Sequence, residues 1–266
     1  MSKLPRISII TIAFNNERDV EPTLQSVVEQ DYEEIEYIVV DGASTDSTLD
    51  IIQRYRKNID VLVSEPDDGM YEAINKGIAL ARGEIIGLIH AGDRLYSGGI
   101  VGAIAEKLAT EDIDALYGHS VLVDSKDRVV RVNRSPLFSV GAIRRGWMPS
   151  HQSIYMKKAL IVKNGDYRTD LGPNADYEFF VRHFYKFPIK ATRLNEFVVR
   201  FSLGGSSTTN YHRVLQRQKI HADCWRLNGL KPPFYLIPLK LARKCPQFIL
   251  GIIRRLRGVG QGPRQQ

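Results

Sequence analysis

Apolar residues in the first part of the chain fall into short β-branched runs separated by segments with helical spacing. Residues 6–14 (RISIITIAF) form a continuous run of the kind that fills a strand buried on both faces. Val20, Leu24, Val27 and Val28 then recur at i, i+4, i+7 and i+8, one face of a helix that ends near Gln30. Residues 35–40 (IEYIVV) give a second strand, and Ser44, Thr45 and Asp46 offer N-cap oxygens to a helix carrying Leu49, Ile51, Ile52 and Tyr55. A third strand is expected at 59–64, a helix at 70–81 with Gly83 as its C-terminal stop, and a fourth strand at 85–89 (IIGLI). Strand and helix alternate through four β/α units in about ninety residues, the signature of an α/β fold with a mostly parallel sheet flanked by helices. In such sheets ligands sit outside the carboxyl ends of the strands.

Beyond residue 110 the alternation loosens. Strands are expected at 115–123, at 128–132 and near 189–201, with a helix from about Asp176 to Lys186. Pro232, Pro233, Pro238 and Pro246 break up the end of the chain, so helices there are short.

Composition narrows the class. A chain of 266 residues, 43% hydrophobic and 25% charged, suits one large α/β domain or two small ones and excludes disorder and fibres. Cys224 and Cys245, without CxxC spacing, form no disulfide framework and point to a reducing compartment. Residues 1–6 lack the apolar core of a signal peptide, and no run approaches the ~20 apolar residues that span a bilayer. A cytoplasmic location is therefore expected.

The net charge of +7 is unevenly placed. Residues 211–266 hold twelve Lys and Arg against one acid, Asp223, whereas residues 1–210 hold 25 bases and 29 acids. Within that tail, residues 232–257 interleave Leu, Ile and Phe with Lys and Arg, as interfacial helices do when they meet an anionic membrane surface. An RNA-binding tail or a helix packed on the core are the alternatives. Aliphatic rather than aromatic interleaving argues against nucleic acid.

Candidate chemistry gathers at the strand ends: residues 41–46 after the second strand, Asp67, Asp68 and Gly69 after the third, and His90, Ala91, Gly92 and Asp93 after the fourth. Carboxylates on one sheet edge repel one another unless donors or a divalent cation stand between them, and such oxygen-rich sites suit Mg²⁺ or Mn²⁺ holding a diphosphate. Alternatively each Asp caps the helix that follows, the preferred reading for Asp46. Asp93 does not fit it, because the next helix begins only after Ser97, Gly98 and Gly99. No GxGxxG, GxxxxGK(S/T) or GxSxG motif is present, so dehydrogenase, P-loop and serine-hydrolase sites have no support.

The start ISIITIAFNN, the turn VVDGASTDST, the segment EPDDGMYEAINKGIALARGEIIG and the late ADYEFF together resemble the family 2 glycosyltransferases, inverting enzymes of the GT-A fold that use nucleotide-diphospho sugars. Within that family the chain looks most like bacterial colanic-acid and exopolysaccharide biosynthesis transferases, which share a PSHQ-like stretch (149–152) and a GGSSTTN-like stretch (204–210). The resemblance covers about residues 5–210. It implies a GT-A domain over 1–210, with a nucleotide-sugar half of about 1–110 and an acceptor half of about 111–210. Residues 211–266 then form a basic amphipathic C-terminal segment that associates with the inner face of the cell membrane.

By the same resemblance, Thr11, Ala13 and Phe14 sit where the first strand end packs on the nucleotide base, and Asp41 where the second contacts base or ribose. Asp67 matches the third acidic position, with Tyr71, Asn75 and Lys76 on the helix that follows. Lys76 is either a solvated helix residue or a cation that reaches a diphosphate or pairs with Asp67. The DxD metal motif is represented by residues 90–93, departing at its first position. Asp93 is the retained metal ligand and His90 a sugar or ribose contact, a weak ligand or a packed residue. Asp176 matches the catalytic base, with an N-cap as its local alternative and Glu178 as a second candidate. Trp147, His151 and Gln152 fall on the acceptor side, and Arg200, Ser206 and Thr208 in a segment that closes the donor site. The expected activity is sugar transfer to a hydroxyl of a glycan or lipid-linked glycan. A non-catalytic GT-A-like nucleotide-binding protein is the rival of another class. A nucleotidyltransferase is disfavoured because residues 15–18 (NNER) are not its Gly-rich basic loop.

Overall fold

A computed structural model of the chain describes residues 4–187, 189–202 and 220–242. The stretch 204–210, Ser206, Thr208 and most of the interleaved segment 232–257 lie outside the described residues.

One sheet runs through the described residues. Its first part is parallel: β3 (Val61–Ser64), β2 (Ile35–Asp41), β1 (Ile7–Ala13) and β4 (Ile85–Leu88) lie side by side in that order. The order reverses at β1, whose neighbours are β2 and β4, and this switch point opens a crevice at the carboxyl ends. β8 (Ile154–Lys157) then pairs antiparallel with β4 and carries the sheet on to β6 (Ala115–Val123), β9 (Ala191–Ser202) and β5 (Arg94–Leu95). β7 (Val129–Asn133) forms a hairpin with the far end of β6. Thus β8, not one of the expected strands, joins the two halves. Gly87 permits the junction, because a Cβ there would come within 2.3 Å of the Tyr155 ring.

Every residue of β1 is buried, as its unbroken apolar run requires. On one face Ile10, Ile12, Ile38 and Val40 pack against α3 (Met70–Leu80) and α7 (Ala175–Val181). On the other, Ile7, Ile9, Tyr37 and Val39 pack against α1 (Val20–Val28), α2 (Thr48–Arg54) and α4 (Ile100–Thr110). Truncating one of these side chains, for example Ile10→Ala, costs about 2–5 kcal/mol through lost transfer energy and the cavity left behind.

Two local expectations change. Helix α3 ends at Leu80 with Ala81 extended (φ −60°, ψ 139°), so Gly83 is not its cap. Gly83 instead allows close approach to β1: a Cβ there would lie 2.7 Å from Ser8 N, and its N–H donates to Ser8 Oγ at 2.8 Å. The helix expected from Asp176 to Lys186 is α for Ala175–Val181 and widens to a π-helical turn over Arg182–Lys186. That turn lets Arg182 bond both Glu178 oxygens at 2.9 Å and the carbonyls of Asn164, Gly165 and Asp166. The helical residues 220–227, here α8, pack on α7, with Trp225 fully buried and its Nε1 3.1 Å from Tyr177 Oη. After it comes α9 (Leu236–Ala242), whose Leu236 joins the same cluster.

Candidate functional site

The carboxyl ends of β1, β2 and β4 frame a cleft of about 370 Å³ lined by Ala13, Phe14, Gly42, Asp67, Met70 and His90. Its shape follows from Gly42: a Cβ there would lie 2.7 Å from Asp67 Oδ2 and 3.3 Å from the Phe14 ring. Phe14 is 60% exposed, an aromatic face offered to solvent at the mouth of the cleft. Asp67 is half-buried, and its Oδ1 accepts from Gly69 N at 2.9 Å.

Two loops hold this end rigid. Asn15, at φ 51°, donates its N–H to Ser44 Oγ at 2.9 Å, and its Oδ1 accepts from Thr45 N at 2.9 Å. Asn16 N donates to Thr48 Oγ1 at 2.7 Å, and Glu17 N to Asp46 Oδ2 at 3.1 Å. Asp46 also accepts from Thr48 N at 2.9 Å, but the N-cap of α2 is Ser47, so Asp46 braces the turn ahead of the helix instead of capping it. Asp41 is fully buried and accepts from Ser64 Oγ at 2.6 Å, from Ser44 N at 3.0 Å and from Ser44 Oγ. Its carboxylate ties β2 to the neighbouring turns.

Next to this cleft, and sharing Asn16 and Ala91 with it, lies a groove of about 540 Å³ lined by Asp19, Asp93, Arg94, Asp127 and Ser202. Gly92, at φ 97°, turns the chain so that Asp93 points back toward the sheet. Asp93 Oδ2 accepts from Gln152 Nε2 at 2.6 Å and Oδ1 from Ser202 N at 3.0 Å. Burial pushes the Asp93 carboxyl up to about 6, against the pull of those two hydrogen bonds. Gln152 Oε1 in turn accepts from His90 N at 3.0 Å, so one amide clamps both ends of the 90–93 turn.

His90 faces His151 with Nε2 to Nε2 at 2.7 Å, and His151 Nδ1 lies 3.8 Å from Asp176 Oδ2. Burial, then the second imidazole, holds His90 well below the ordinary histidine range. Burial also lowers His151, while the Asp176 charge opposes the shift. Asp93, Gln152, His90, His151 and Asp176 thus form one chain of contacts between the turn after β4, the 3₁₀ turn His151–Ser153 and the first turn of α7.

Other sequence candidates lie apart from the open cleft. Thr11 is fully buried with its Oγ1 3.0 Å from Tyr37 Oη. Tyr71 is buried and stacks on Tyr167 at 5.6 Å. Asn75 braces the chain at Tyr167, donating to its O at 2.8 Å and accepting from its N at 3.0 Å. Lys76 pairs with Glu65 at 3.1 Å and Glu72 at 3.5 Å and donates to Pro66 O at 2.8 Å, so Asp67 is not its partner. Trp147 is half-buried against Tyr117 and Phe180. Glu178 is 2% exposed and engaged by Arg182 and Asn228, which removes it from any base role.

Some contributors escaped the sequence reading. Thr23 Oγ1 donates to Asp93 O at 2.6 Å and accepts from Gly92 N at 3.0 Å, anchoring the turn to α1. Asp127, at the hairpin tip, bridges Arg94 at 2.6 Å and Arg200 at 3.3 Å. A lone Thr on a helix and an Asp in a hairpin turn carry no local signal of such roles.

Among the described residues no group of three or more His, Cys, Asp or Glu is arranged to hold a metal ion. Asp93 still offers a carboxylate whose oxygens each keep a lone pair beyond the bonds from Gln152 and Ser202. That fits a hard cation bound by one protein carboxylate, with substrate phosphates and water completing its shell.

The sequence profile of Glycosyl transferase family 2 matches residues 8–170. A glycosyltransferase of Mycobacterium tuberculosis is 34% identical over 188 residues, covering 68% of this chain and 70% of the relative. A PGL/p-HBAD biosynthesis glycosyltransferase of Mycobacterium bovis is 28% identical over 211 residues, covering 77% and 80%. Among solved structures, S. aureus TarS in complex with UDP-GlcNAc superposes with a TM-score of 0.67 at 19% identity, over 82% of this chain and 66% of that one. The mannosyltransferase PcManGT from Pyrobaculum calidifontis, in complex with GDP-Man and Mn²⁺, gives 0.62 at 20% identity, over 90% and 69%.

Proposed function

This chain belongs to glycosyl transferase family 2 and has the GT-A fold, and from that premise we propose that it is an inverting, metal-dependent glycosyltransferase. It moves a sugar from a nucleotide-diphospho-sugar donor to a hydroxyl of a glycan or lipid-linked glycan. The observation that carries the reading is the chain of contacts joining Asp93, in the turn that follows β4, to Asp176 on a separate helix. Inversion by single displacement needs one carboxylate on the face opposite the leaving diphosphate, the part given to Asp176, which leaves Asp93 for the metal.

Phe14 stacks on the nucleotide base over Gly42, and Asp67 accepts hydrogen bonds from base or ribose. Asp93 holds the divalent ion, which when bound supplies positive charge beside the departing nucleoside diphosphate. Asp176 takes the acceptor hydroxyl proton as the bond to the anomeric carbon forms on the face opposite the leaving group. Its Oδ1 accepts from Tyr177 N at 2.7 Å, and Oδ2, which faces His151 Nδ1 at 3.8 Å, keeps a second lone pair for the proton. The ligands of the two fold neighbours, UDP-GlcNAc in one and GDP-Man with Mn²⁺ in the other, support a nucleotide-sugar donor and a divalent ion.

For the acceptor, a relative that is a PGL/p-HBAD biosynthesis glycosyltransferase supports a biosynthetic glycosyl transfer, and the motif resemblance at 149–152 and 204–210 suggests surface-polysaccharide synthesis at the inner face of a bacterial membrane. No helix among the described residues is long and apolar enough to cross a membrane. Contact with anionic lipid is assigned to residues 232–257 from their interleaved basic and apolar pattern, with Leu236 excepted because it packs in the core.

A thermal-shift and calorimetric screen of nucleoside diphosphates and nucleotide sugars, with and without Mn²⁺, tests the reading on the full chain and on Asp93→Ala. Stabilisation by one nucleotide class that requires the metal and disappears in the variant is the expected result. Failure of every nucleotide to stabilise the chain would overturn it in favour of a non-catalytic role.

A further inference from the structure

A half-buried pair of imidazoles links the turn that leads to Asp93 with the helix that carries Asp176. The Nε2 atoms of His90 and His151 are 2.7 Å apart and the rings are inclined by 38°. Between two neutral imidazoles such a contact holds one proton, and the neighbours decide which ring owns it. His151 Nδ1 faces Asp176 Oδ2 at 3.8 Å. A lone pair there would face an anion, whereas an N–H would face an acceptor. His151 therefore carries its proton on Nδ1, its Nε2 is a lone pair, and His90 donates to it through Nε2–H. His90 Nδ1 is left as a lone pair, buried and without a hydrogen-bond partner among the described residues.

This order has a chemical consequence. An Asp–His dyad in which histidine is the base needs a free Nε2, and that of His151 is filled by His90. Asp176 itself must then meet the acceptor. One of its oxygens is fixed by Tyr177 N and the other faces His151. The geometry points to His151 as the positioning residue of the Asp176 carboxylate, with His90 fixing the tautomer in which it does so. This rests on the reading of Asp176 as the general base. The 3.8 Å separation is too long for a hydrogen bond, and it closes when the acceptor side of the groove fills, as catalytic contacts commonly tighten in the substrate complex. Because His90 N is clamped by Gln152, which also holds Asp93, the chain of contacts sets the base at a fixed station relative to the donor site.

The first test needs no substrate. Long-range ¹H–¹⁵N spectra of the full chain labelled with ¹⁵N-histidine should show His151 as the Nδ1–H tautomer and His90 as the Nε2–H tautomer, assigned with His90→Gln and His151→Leu. A His151 protonated on Nε2 would overturn the proposal. The second test uses shape. At position 151, Asn keeps a donor near the Nδ1 position, Gln keeps one near Nε2, and Leu keeps neither. Turnover, read as nucleoside diphosphate released from a panel of UDP- and GDP-sugars, should fall about 10-fold or more in His151→Leu and His151→Gln with donor KM unchanged. His151→Asn should restore most of that loss. Asn no better than Leu would sink the positioning role. Full turnover in Asp176→Asn would overturn the base reading beneath it, whereas a loss there with His151→Leu unaffected would overturn the positioning role alone.

Discussion

The Phe14 end of the candidate site and the contacts that run from Asp93 to Asp176 are held together in different ways. At the Phe14 end, loops following adjacent parallel strands are zipped together by side chains bonding backbone amides, as in Asn16 N to Thr48 Oγ1 and Thr45 N to Asn15 Oδ1. At the Asp176 end, side chains bond one another across the sheet: Asp93 to Gln152, and His90 to His151. Parallel register alone assembles the first end, since Ala13 pairs with Asp41 at the tips of β1 and β2. Assembling the second requires that β8 and β9 also be in place, because they deliver Gln152 and Ser202 to Asp93. Nucleotide binding and chemistry should therefore be separable by mutation.

The largest expected effect tests that separation directly. Asp176→Asn should lower turnover by about 10² or more, the usual loss for a general base. Calorimetry should find nucleoside diphosphate affinity unchanged in the same variant, since Asp176 contacts His151 and Tyr177 N rather than the Phe14 cleft. A parallel drop in affinity would show that the two ends are one cooperative unit.

The second effect follows from the burial of Asp93. Its carboxyl is pushed up to about 6, so below that pH the free enzyme carries a neutral acid that a divalent cation must deprotonate. Binding strength is full above pH 7 and declines as pH falls through 6. Between pH 7 and pH 5, Mn²⁺-dependent nucleotide binding should weaken about 10-fold, as the ionised fraction of a group titrating near 6 does. Metal-free nucleotide binding at the Phe14 end should stay level over that range, and isothermal titrations at both pH values check the contrast.

What was legible in the sequence follows the same division. The runs at 6–14, 35–40, 59–64 and 85–89 match four parallel strands, and Phe14, Asp67 and Asp93 lie at or just after the ends of the first, third and fourth, because strand-end chemistry is local to one β/α unit. The short strand β8 was missed. Four residues between a 3₁₀ turn and a short helix carry too little periodicity to stand out, yet β8 joins the halves of the sheet. Thr11 was expected against the base, but period-two alternation in a strand covered on both faces turns its hydroxyl into the core to meet Tyr37. The histidine pair was invisible for another reason: it joins residues 61 positions apart, and each alone is an ordinary histidine.

A smaller effect sharpens the account of the Phe14 end. Because Phe14 is 60% exposed, Phe14→Ala removes little burial energy and should leave thermal stability nearly unchanged. It does remove a stacking face worth about 1 kcal/mol, or roughly fivefold in nucleotide affinity. Equal affinity of variant and native chains, measured by calorimetry with Mn²⁺ present, would move the base out of this cleft.

The smallest effect concerns Lys76, the cation nearest in sequence to the cleft helix start. It meets Glu65, Glu72 and the Pro66 carbonyl, and the Glu65 carboxylate is the main cause of its raised pKa. A lysine already committed to two carboxylates on the protein surface has little charge left to offer a diphosphate. Exposed pairs of this kind contribute little to stability, and competing for one means breaking both. Lys76→Ala should therefore change nucleoside diphosphate affinity by less than about twofold, with or without Mn²⁺. If affinity instead fell about 10-fold and the salt dependence of binding flattened, Lys76 would have to leave Glu65 and swing to the phosphates on binding. The Phe14 end would then be an induced site, and its preformed loops would account only for recognition of the base.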